Sequence, residues 1–101
     1  MTVIEDIASE RERQKTTEGW TLAHDDAHES GEMAGAAACY IMNGLRIGNE
    51  ELFLCVKKMV DDLWPWAKGW WKPKDRRRDL IRAAALIVAE IERLDRKSQT
   101  P

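Results

Sequence analysis

The chain has 101 residues, of which 44% are hydrophobic and 34% charged; this composition fits one globular domain with a modest core and excludes a disordered chain. The formal net charge of −2 argues against a general nucleic-acid binder, because such proteins are basic overall. The acidic N-terminus lacks the pattern of a signal peptide and no apolar run is long enough to span a bilayer, so we expect a cytoplasmic protein without membrane contact.

Four helices are predicted, and no segment shows the alternating pattern of a strand. The first helix spans residues 2–15 and begins with a capping box, in which the Thr2 hydroxyl and the Glu5 carboxylate each accept a hydrogen bond from a free backbone N–H. A loop over residues 16–24 follows.

The second predicted helix spans residues 26–43. Asp26 and Glu29 have the spacing of another capping box, and Asn43-Gly44 is a typical helix stop. The apolar positions that follow helical spacing, and are therefore expected in the core, are Met33, Ala36, Ala37, Tyr40 and Ile41.

The third predicted helix spans residues 49–63, with Asn49 as its cap and Pro65 just beyond its end. The fourth spans residues 75–96, and a frayed tail is predicted over residues 97–101. Apolar residues recur on both helices at alternating steps of four and three: Leu52, Val56, Met59 and Leu63 on the third, and Leu80, Ala84, Ile87, Ile91 and Leu94 on the fourth. The stripe on the fourth helix is wide enough to face a core from two sides, within the domain or across a dimer.

Two cysteines, Cys39 and Cys55, lie inside apolar helical patterns. Small secreted domains usually carry several paired cysteines, so these two are predicted to be buried hydrophobic residues in a reducing cytosol. The fold prediction is thus a single all-α domain over residues 1–101, resembling a four-helix bundle.

A first candidate site is the cluster His24, Asp25, Asp26 and His28, followed by Glu32. On one helix, His24 and His28 would share a face and could hold a divalent ion with a carboxylate. The alternative is a helix N-terminus at which the two aspartates cap the helix and complement its dipole.

A second candidate is the loop over residues 64–74, in which four of the five tryptophans lie within eight residues. Trp66, Trp70 and Trp71 could stack on a base, with nearby lysines for phosphates. The alternative is a lid whose indoles cover the helices, and any indole left exposed would mark a contact surface.

A third candidate is Arg76, Arg77 and Arg78 in the first turn of the fourth helix, where cations oppose the helix dipole. Such a group is a natural anion site. Salt bridges to the acidic part of the chain are the competing explanation, since residues 1–62 hold 6 Lys or Arg against 13 Asp or Glu, whereas residues 63–101 hold 10 against 5.

These motifs resemble small phage and prophage proteins, which are similar in turn to the MazG-like all-α nucleoside triphosphate pyrophosphohydrolases. The segments that carry the resemblance lie on the first, second and fourth helices: Glu10–Gln14, Gly19-Trp20, His24–Asp26, Gly31–Ala34, Arg77–Ile81 and Ala89–Arg96.

The resemblance implies a dimeric or tetrameric helical scaffold on which carboxylates of two helices hold magnesium on a triphosphate. Glu32 and Asp79 match the first carboxylate of each family motif, but Gly35 and Arg82 stand where the second ones belong. We therefore expect a non-catalytic phage-type accessory protein that binds a nucleotide-like anion or a host protein. The alternative is a divergent hydrolase that uses Mg²⁺ or Mn²⁺, held by Glu32, Asp79 and the histidine cluster.

Overall fold

A computed structural model describes residues 2–99 of the chain. These residues form five α-helices and one short 3₁₀ turn, joined by loops. This confirms the all-helical prediction, and no strand occurs among the described residues. None of the helices in this range is long and apolar enough to cross a membrane. The elements are α1 (Val3–Thr16), α2 (Leu22–Asp26), α3 (Glu32–Met42), α4 (Glu50–Leu63), the 3₁₀ turn (Lys68–Trp70) and α5 (Arg76–Ser98).

Three of the helix starts follow from capping side chains, and two of these caps, Thr2 and Asn49, were predicted. Thr2 and Glu5 form the reciprocal capping box of α1. The Asn49 side chain accepts a hydrogen bond from the N–H of Leu52 at the start of α4, and Asp75 caps α5 in the same way. The predicted fraying from residue 97 is wrong, because α5 continues through Ser98; residues 100 and 101 lie outside the described range.

The second predicted helix is wrong in its start and in its continuity. The Thr21 hydroxyl accepts from the N–H of His24, so α2 begins at Leu22, upstream of the predicted Asp26 cap. Gly31 has a φ of +85° and interrupts the helical path before α3 begins. This left-handed conformation is open to glycine at little steric penalty. The Asp26–Glu29 capping box therefore does not form.

The hydrophobic core lies between α3 and α5. Alanines dominate it, and small side chains let the two helix backbones approach closely. The buried residues of this cluster are Met33, Ala36, Ala37 and Tyr40 from α3, and Ala83, Leu86 and Ala89 from α5. The core positions predicted for residues 33–40 are confirmed, whereas Ile41 is exposed.

Most of the large side chains in the predicted apolar stripe of α5 face away from this core, although Ile81 and Ala85, which widen the stripe, are buried. Leu86 is fully buried, whereas Ile87 and Ile91 on the other side of the helix are 41% and 52% exposed. The same holds for the α4 stripe, since Leu52, Met59 and Leu63 are exposed and the buried residue of this helix is Val60, which is not a member of the stripe. A prediction from hydrophobic spacing gives leucine and isoleucine more weight than alanine. It therefore selects the wrong helix face as buried when two helices pack closely through small residues.

α1 and α2 join α5 through charged groups. Arg11 of α1 donates to Asp25 of α2 at 2.8 Å and to Glu92 of α5 at 3.0 Å, and both Arg11 and Asp25 are buried. Nearby, Glu10 is 1% exposed and accepts hydrogen bonds from Arg13 and Arg78. Charged side chains are rarely buried unless they are paired, and these pairs meet that condition.

α4 packs chiefly on α3, so the helices do not close into the predicted four-helix bundle; instead α5 contacts α1, α2 and α3. The thiol of Cys39 lies 3.5 Å from the Val60 carbonyl at the contact between α3 and α4. Burial raises the pKa of this thiol. Cys55, in contrast, is exposed, so the prediction that both cysteines are buried is wrong for Cys55.

Candidate functional site

The segment over residues 64–74 is anchored on the end of α3 by aromatic contacts. The rings of Trp64 and Trp71 lie 5.7 Å and 4.8 Å from that of Tyr40, and the backbone N–H of Lys72 donates to the Tyr40 hydroxyl at 3.3 Å. Burial raises the pKa of Tyr40. Trp64 and Trp71 therefore act as the predicted lid, because both pack against the core.

The other two tryptophans of the segment meet Trp20 and form an open cavity that we call the tryptophan cleft, lined by Glu18, Gly19, Trp20, His24, Trp66, Ala67 and Trp70. Its volume is about 330 Å³. The Trp20 ring lies 5.4 Å from Trp66 and 6.1 Å from Trp70, and Trp70 is 41% exposed.

Trp20 is the contributor to the cleft that sequence reasoning did not select as a ligand-binding residue. It lies in the turn between α1 and α2, where its N–H donates to the carbonyl of Gln14 at 2.9 Å. The sequence feature that could have pointed to it is a tryptophan beside Gly19 in a loop, because a large apolar side chain in a loop usually packs against another part of the chain. That partner is the segment over residues 64–74, more than forty residues away in the chain.

The edge of the cleft carries one carboxylate and two cations. Glu18 accepts from Arg13 at 2.9 Å, and the Lys72 ammonium lies 3.5 Å from the same carboxylate. The hydrogen bond from Arg13 is the main cause that lowers the pKa of Glu18. The Lys72 ammonium also lies 5.5 Å from the centre of the Trp70 ring, within cation–π range.

The three arginines at the start of α5 each contact another helix or the loop that follows one. Arg76 donates to the Asn43 carbonyl at 2.7 Å, at the end of α3. Arg77 and Arg78 pair with Asp6 and Glu10 of α1, each at 2.5 Å. The pairs made by Arg77 and Arg78 are salt bridges to the acidic part of the chain, the explanation that was given above as the alternative to an anion site.

The predicted cluster in α2 divides into two parts. The carboxylate of Asp25 is held by Arg11, and that of Asp26 accepts from Arg96 at 2.6 Å, so both aspartates join helices. His24 and His28 instead face each other, with their Nε2 atoms 3.4 Å apart, and His28 Nδ1 lies 3.2 Å from a Glu32 oxygen. His24 lies within α2, but His28 lies beyond its last residue, Asp26, so the two histidines do not share the face of one helix as that interpretation required.

The structure does not bring Glu32 and Asp79 together. Asp79 is buried near the C-terminal end of α3, where it accepts from the N–H of Lys74 at 2.9 Å and lies 3.9 Å from Arg82. Glu32 begins α3, at the opposite end of that helix. Hydrogen bonds from its own backbone N–H and then from His28 lower its pKa. Within residues 2–99, no group of three or more His, Cys, Asp or Glu side chains is arranged to hold a metal ion.

Comparison with known proteins returned no matching family model, no matching curated protein and no matching solved structure. The resemblance to phage proteins and MazG-like enzymes therefore stays a prediction.

Proposed function

We propose that this protein is a non-catalytic, phage-type accessory protein on a MazG-like helical scaffold, and that it binds a nucleotide-like small molecule in the tryptophan cleft. The observation that carries the proposal is the meeting of three indoles around an open cavity with a lysine ammonium at its edge. A stacking surface beside a cation suits a planar ring that bears an anionic group.

The size and lining of the cleft favour a single base or base-like ring. A volume of about 330 Å³ is at the small end of ligand pockets, and its walls are mostly aromatic. Trp66 also has a buried indole N–H without an acceptor in the part of the chain that the structure describes. Buried donors normally have an acceptor, so a polar partner is missing at this tryptophan, which also lines the cleft.

The anionic group of the ligand is assigned to Lys72 rather than to Arg76, Arg77 and Arg78. The three arginines contribute to interhelical contacts, whereas the Lys72 side chain is about half exposed and lies on Trp70 and Glu18. An incoming phosphate would compete with Glu18 for this ammonium. Arg13 would still pair with Glu18, so the carboxylate would keep a partner.

The experiment is a calorimetric titration of the purified protein with nucleoside mono- and triphosphates, which measures the dissociation constant of each. Base–aromatic stacking contributes about 1–3 kcal/mol, so Trp70→Ala is expected to weaken binding by about 5- to 150-fold. Lys72→Gln is expected to weaken binding of the phosphorylated ligands only. Lys68→Gln is the matched control, because Lys68 lines a different cavity with Trp64 and Trp71.

Saturable binding that Trp70→Ala leaves unchanged would contradict the assignment to the cleft. Absence of binding by any nucleotide, together with specific capture of a host protein that Trp70→Ala abolishes, would favour a protein partner for the same surface. Release of pyrophosphate from a triphosphate with Mg²⁺ or Mn²⁺ would favour the hydrolase alternative.

We further propose that two copies of the chain associate through the exposed face of α5. Five large apolar side chains share this face, and each is at least about one-third exposed: Leu80, Ile87, Val88, Ile91 and Leu94. Contiguous apolar patches on a helix usually mark an interaction surface. The symmetric spacing of Leu80 and Leu94 about Ile87 suits an antiparallel pair, in which Leu80 of each copy meets Leu94 of the other.

The charges at the two ends of the face agree with this arrangement. Arg77 stands at one end and Asp95 at the other. With a rise of about 1.5 Å per residue, antiparallel pairing centred on Ile87 places these two within about one turn of each other across the interface. Light scattering is expected to show a dimer that Ile87→Glu dissociates, while Leu54→Glu on α4 leaves it intact. A wild-type monomer at about 100 μM would overturn the proposal, because an interface of this kind is expected to be stable there.

A further inference from the structure

The two histidines of the chain, His24 and His28, are turned toward each other across the end of α2. Their Nε2 atoms are 3.4 Å apart and their rings meet edge to face, with centroids 4.6 Å apart. Each ring also contacts a tryptophan: His24 lies parallel to Trp20 at 6.1 Å, and His28 lies 5.3 Å from Trp66. The two imidazoles are therefore held in place on their outer faces.

The other nitrogen of each ring faces a carboxylate. His28 Nδ1 lies 3.2 Å from Glu32 Oε2, and His24 Nδ1 lies 3.5 Å from Asp25 Oδ1. Both carboxylates are anchored by further bonds, because Glu32 Oε1 accepts from the N–H of Ser30 at 2.7 Å and Asp25 Oδ2 accepts from Arg11. Each carboxylate is therefore bonded to a second group besides its imidazole.

When both rings are neutral, this arrangement favours one tautomer of each. An ionised carboxylate only accepts hydrogen bonds, so each Nδ1 must carry the hydrogen. A neutral imidazole has a single N–H, so when both rings are neutral each Nε2 atom keeps a lone pair, and these two atoms lie 3.4 Å apart. Two such lone pairs at 3.4 Å repel unless a cation lies between them.

We propose that His24 and His28 bind one divalent transition-metal ion through their Nε2 atoms. Two Zn–N bonds of about 2.0–2.1 Å at a tetrahedral angle span about 3.3–3.4 Å, which matches the observed separation. Carboxylates on the outer nitrogens of metal-binding histidines fix the ring orientation and raise the basicity of the ligand. In this assignment Glu32 and Asp25 orient the ligands and do not touch the metal.

The metal in question belongs to the Zn²⁺, Ni²⁺ and Cu²⁺ group, because imidazole nitrogen suits these ions. The Mg²⁺ or Mn²⁺ expected from the family resemblance prefers oxygen ligands instead. With two ligands from the described residues, the remaining coordination positions are available to water or to a small molecule. His24 also lines the tryptophan cleft, so these positions lie beside that cavity.

The test is calorimetric titration of the untagged, metal-free protein with Zn²⁺ and Ni²⁺, and separately with Mg²⁺. One Zn²⁺ per chain is expected, with no response to Mg²⁺. His24→Gln and His28→Gln are each expected to weaken binding at least about tenfold, and Glu32→Gln about 10- to 100-fold. Cys55→Ser is the matched control for zinc binding by the exposed thiol, and it is expected to bind as the wild type does.

A second readout uses the neighbouring indoles. Ni²⁺ or Cu²⁺ at this position is expected to quench the fluorescence of Trp20 and Trp66 in the wild type but not in His28→Gln. Circular dichroism of each variant checks that the helices are retained, since a variant that unfolds would lose binding for another reason.

Stoichiometric zinc binding that His24→Gln leaves unchanged would overturn the proposal. So would a ¹⁵N NMR spectrum, in excess Zn²⁺, with a single proton shared between the two Nε2 atoms, because the cation would then be a proton. The proposal does not rest on the nucleotide assignment. Trp70→Ala is expected to retain zinc binding, so failure of one proposal is distinguishable from failure of the other.

Discussion

Removal of the Asp25 carboxylate should be among the most destabilising single changes in this chain. Asp25 is 1% exposed and is bonded to Arg11, which is itself buried. Breaking such a pair leaves an uncompensated buried charge, at a cost of about 3–5 kcal/mol. Arg11 keeps Glu92 at 3.0 Å, so we expect the lower value, about 3 kcal/mol, for Asp25→Ala.

This loss is large relative to the total stability of about 5–15 kcal/mol of an ordinary domain. Urea unfolding measured by circular dichroism would show it as a fall of about 2 M in the midpoint, with a denaturant dependence of about 1.5 kcal/mol/M. Asp26→Ala is the matched control, because the Asp26–Arg96 pair is partly exposed and pairs of that kind contribute about 0–1 kcal/mol.

Equal midpoints for the two variants would refute this reasoning. The double change Arg11→Met with Asp25→Leu supplies a further check, since replacing both partners by apolar residues of similar size is often neutral or stabilising. We therefore expect the double variant to be more stable than Asp25→Ala alone. A double variant as unstable as the single one would show that packing, rather than the unpaired charge, causes the loss.

Three other changes test separate parts of the structure. Gly31→Ala is expected to destabilise the protein by about 1–2 kcal/mol in urea unfolding, through backbone strain alone, because the new Cβ would meet no atom within 4 Å. Trp66→Ala is expected to cost about 3 kcal/mol, because Trp66 packs against the core, whereas the more exposed Trp70→Ala should cost less than about 1 kcal/mol in the same assay. The pKa of Glu18 is lowered below 4.5 in the folded state, chiefly by Arg13, so its stabilising contribution is present above that value and is lost as the pH falls through the lowered pKa. Melting temperatures from about pH 6 to about pH 3 should consequently fall less steeply for Glu18→Gln than for the wild type; an identical slope would contradict this.

The helix starts were predictable where one side chain decides them locally. Thr2, Asn49 and Asp75 each cap the helix that follows, as their spacing to the first turn indicates. The break before α3 was not predictable in this way, because the Asp26 pattern competes with the Thr21 cap and with the left-handed Gly31. Local rules alone do not rank such competing signals.

The orientation of α5 was not predictable from apolar periodicity, for a physical reason. Its buried face includes Asp79 and Arg93, charged residues that any hydropathy pattern places outside. Their burial depends on polar contacts that a hydropathy pattern does not register, since Asp79 accepts from the backbone N–H of Lys74 and Arg93 pairs with Glu90. The tryptophan cleft was not predictable either, because Trp20 forms one of its walls only when residues 64–71 fold back against it.

The uneven attachment of α4 has a consequence for native-state hydrogen exchange. Contacts with α3 hold its C-terminal half, where Val60 is buried and its carbonyl lies 3.5 Å from the Cys39 thiol. Its first two turns expose Leu52 and Leu54, and no buried residue anchors them. Amides from about residue 53 to 57 should therefore exchange through a sub-global opening of low free energy, while those of α3 and α5 exchange only with global unfolding. α4 would then fray from its N-terminus while the α3–α5 core stays intact.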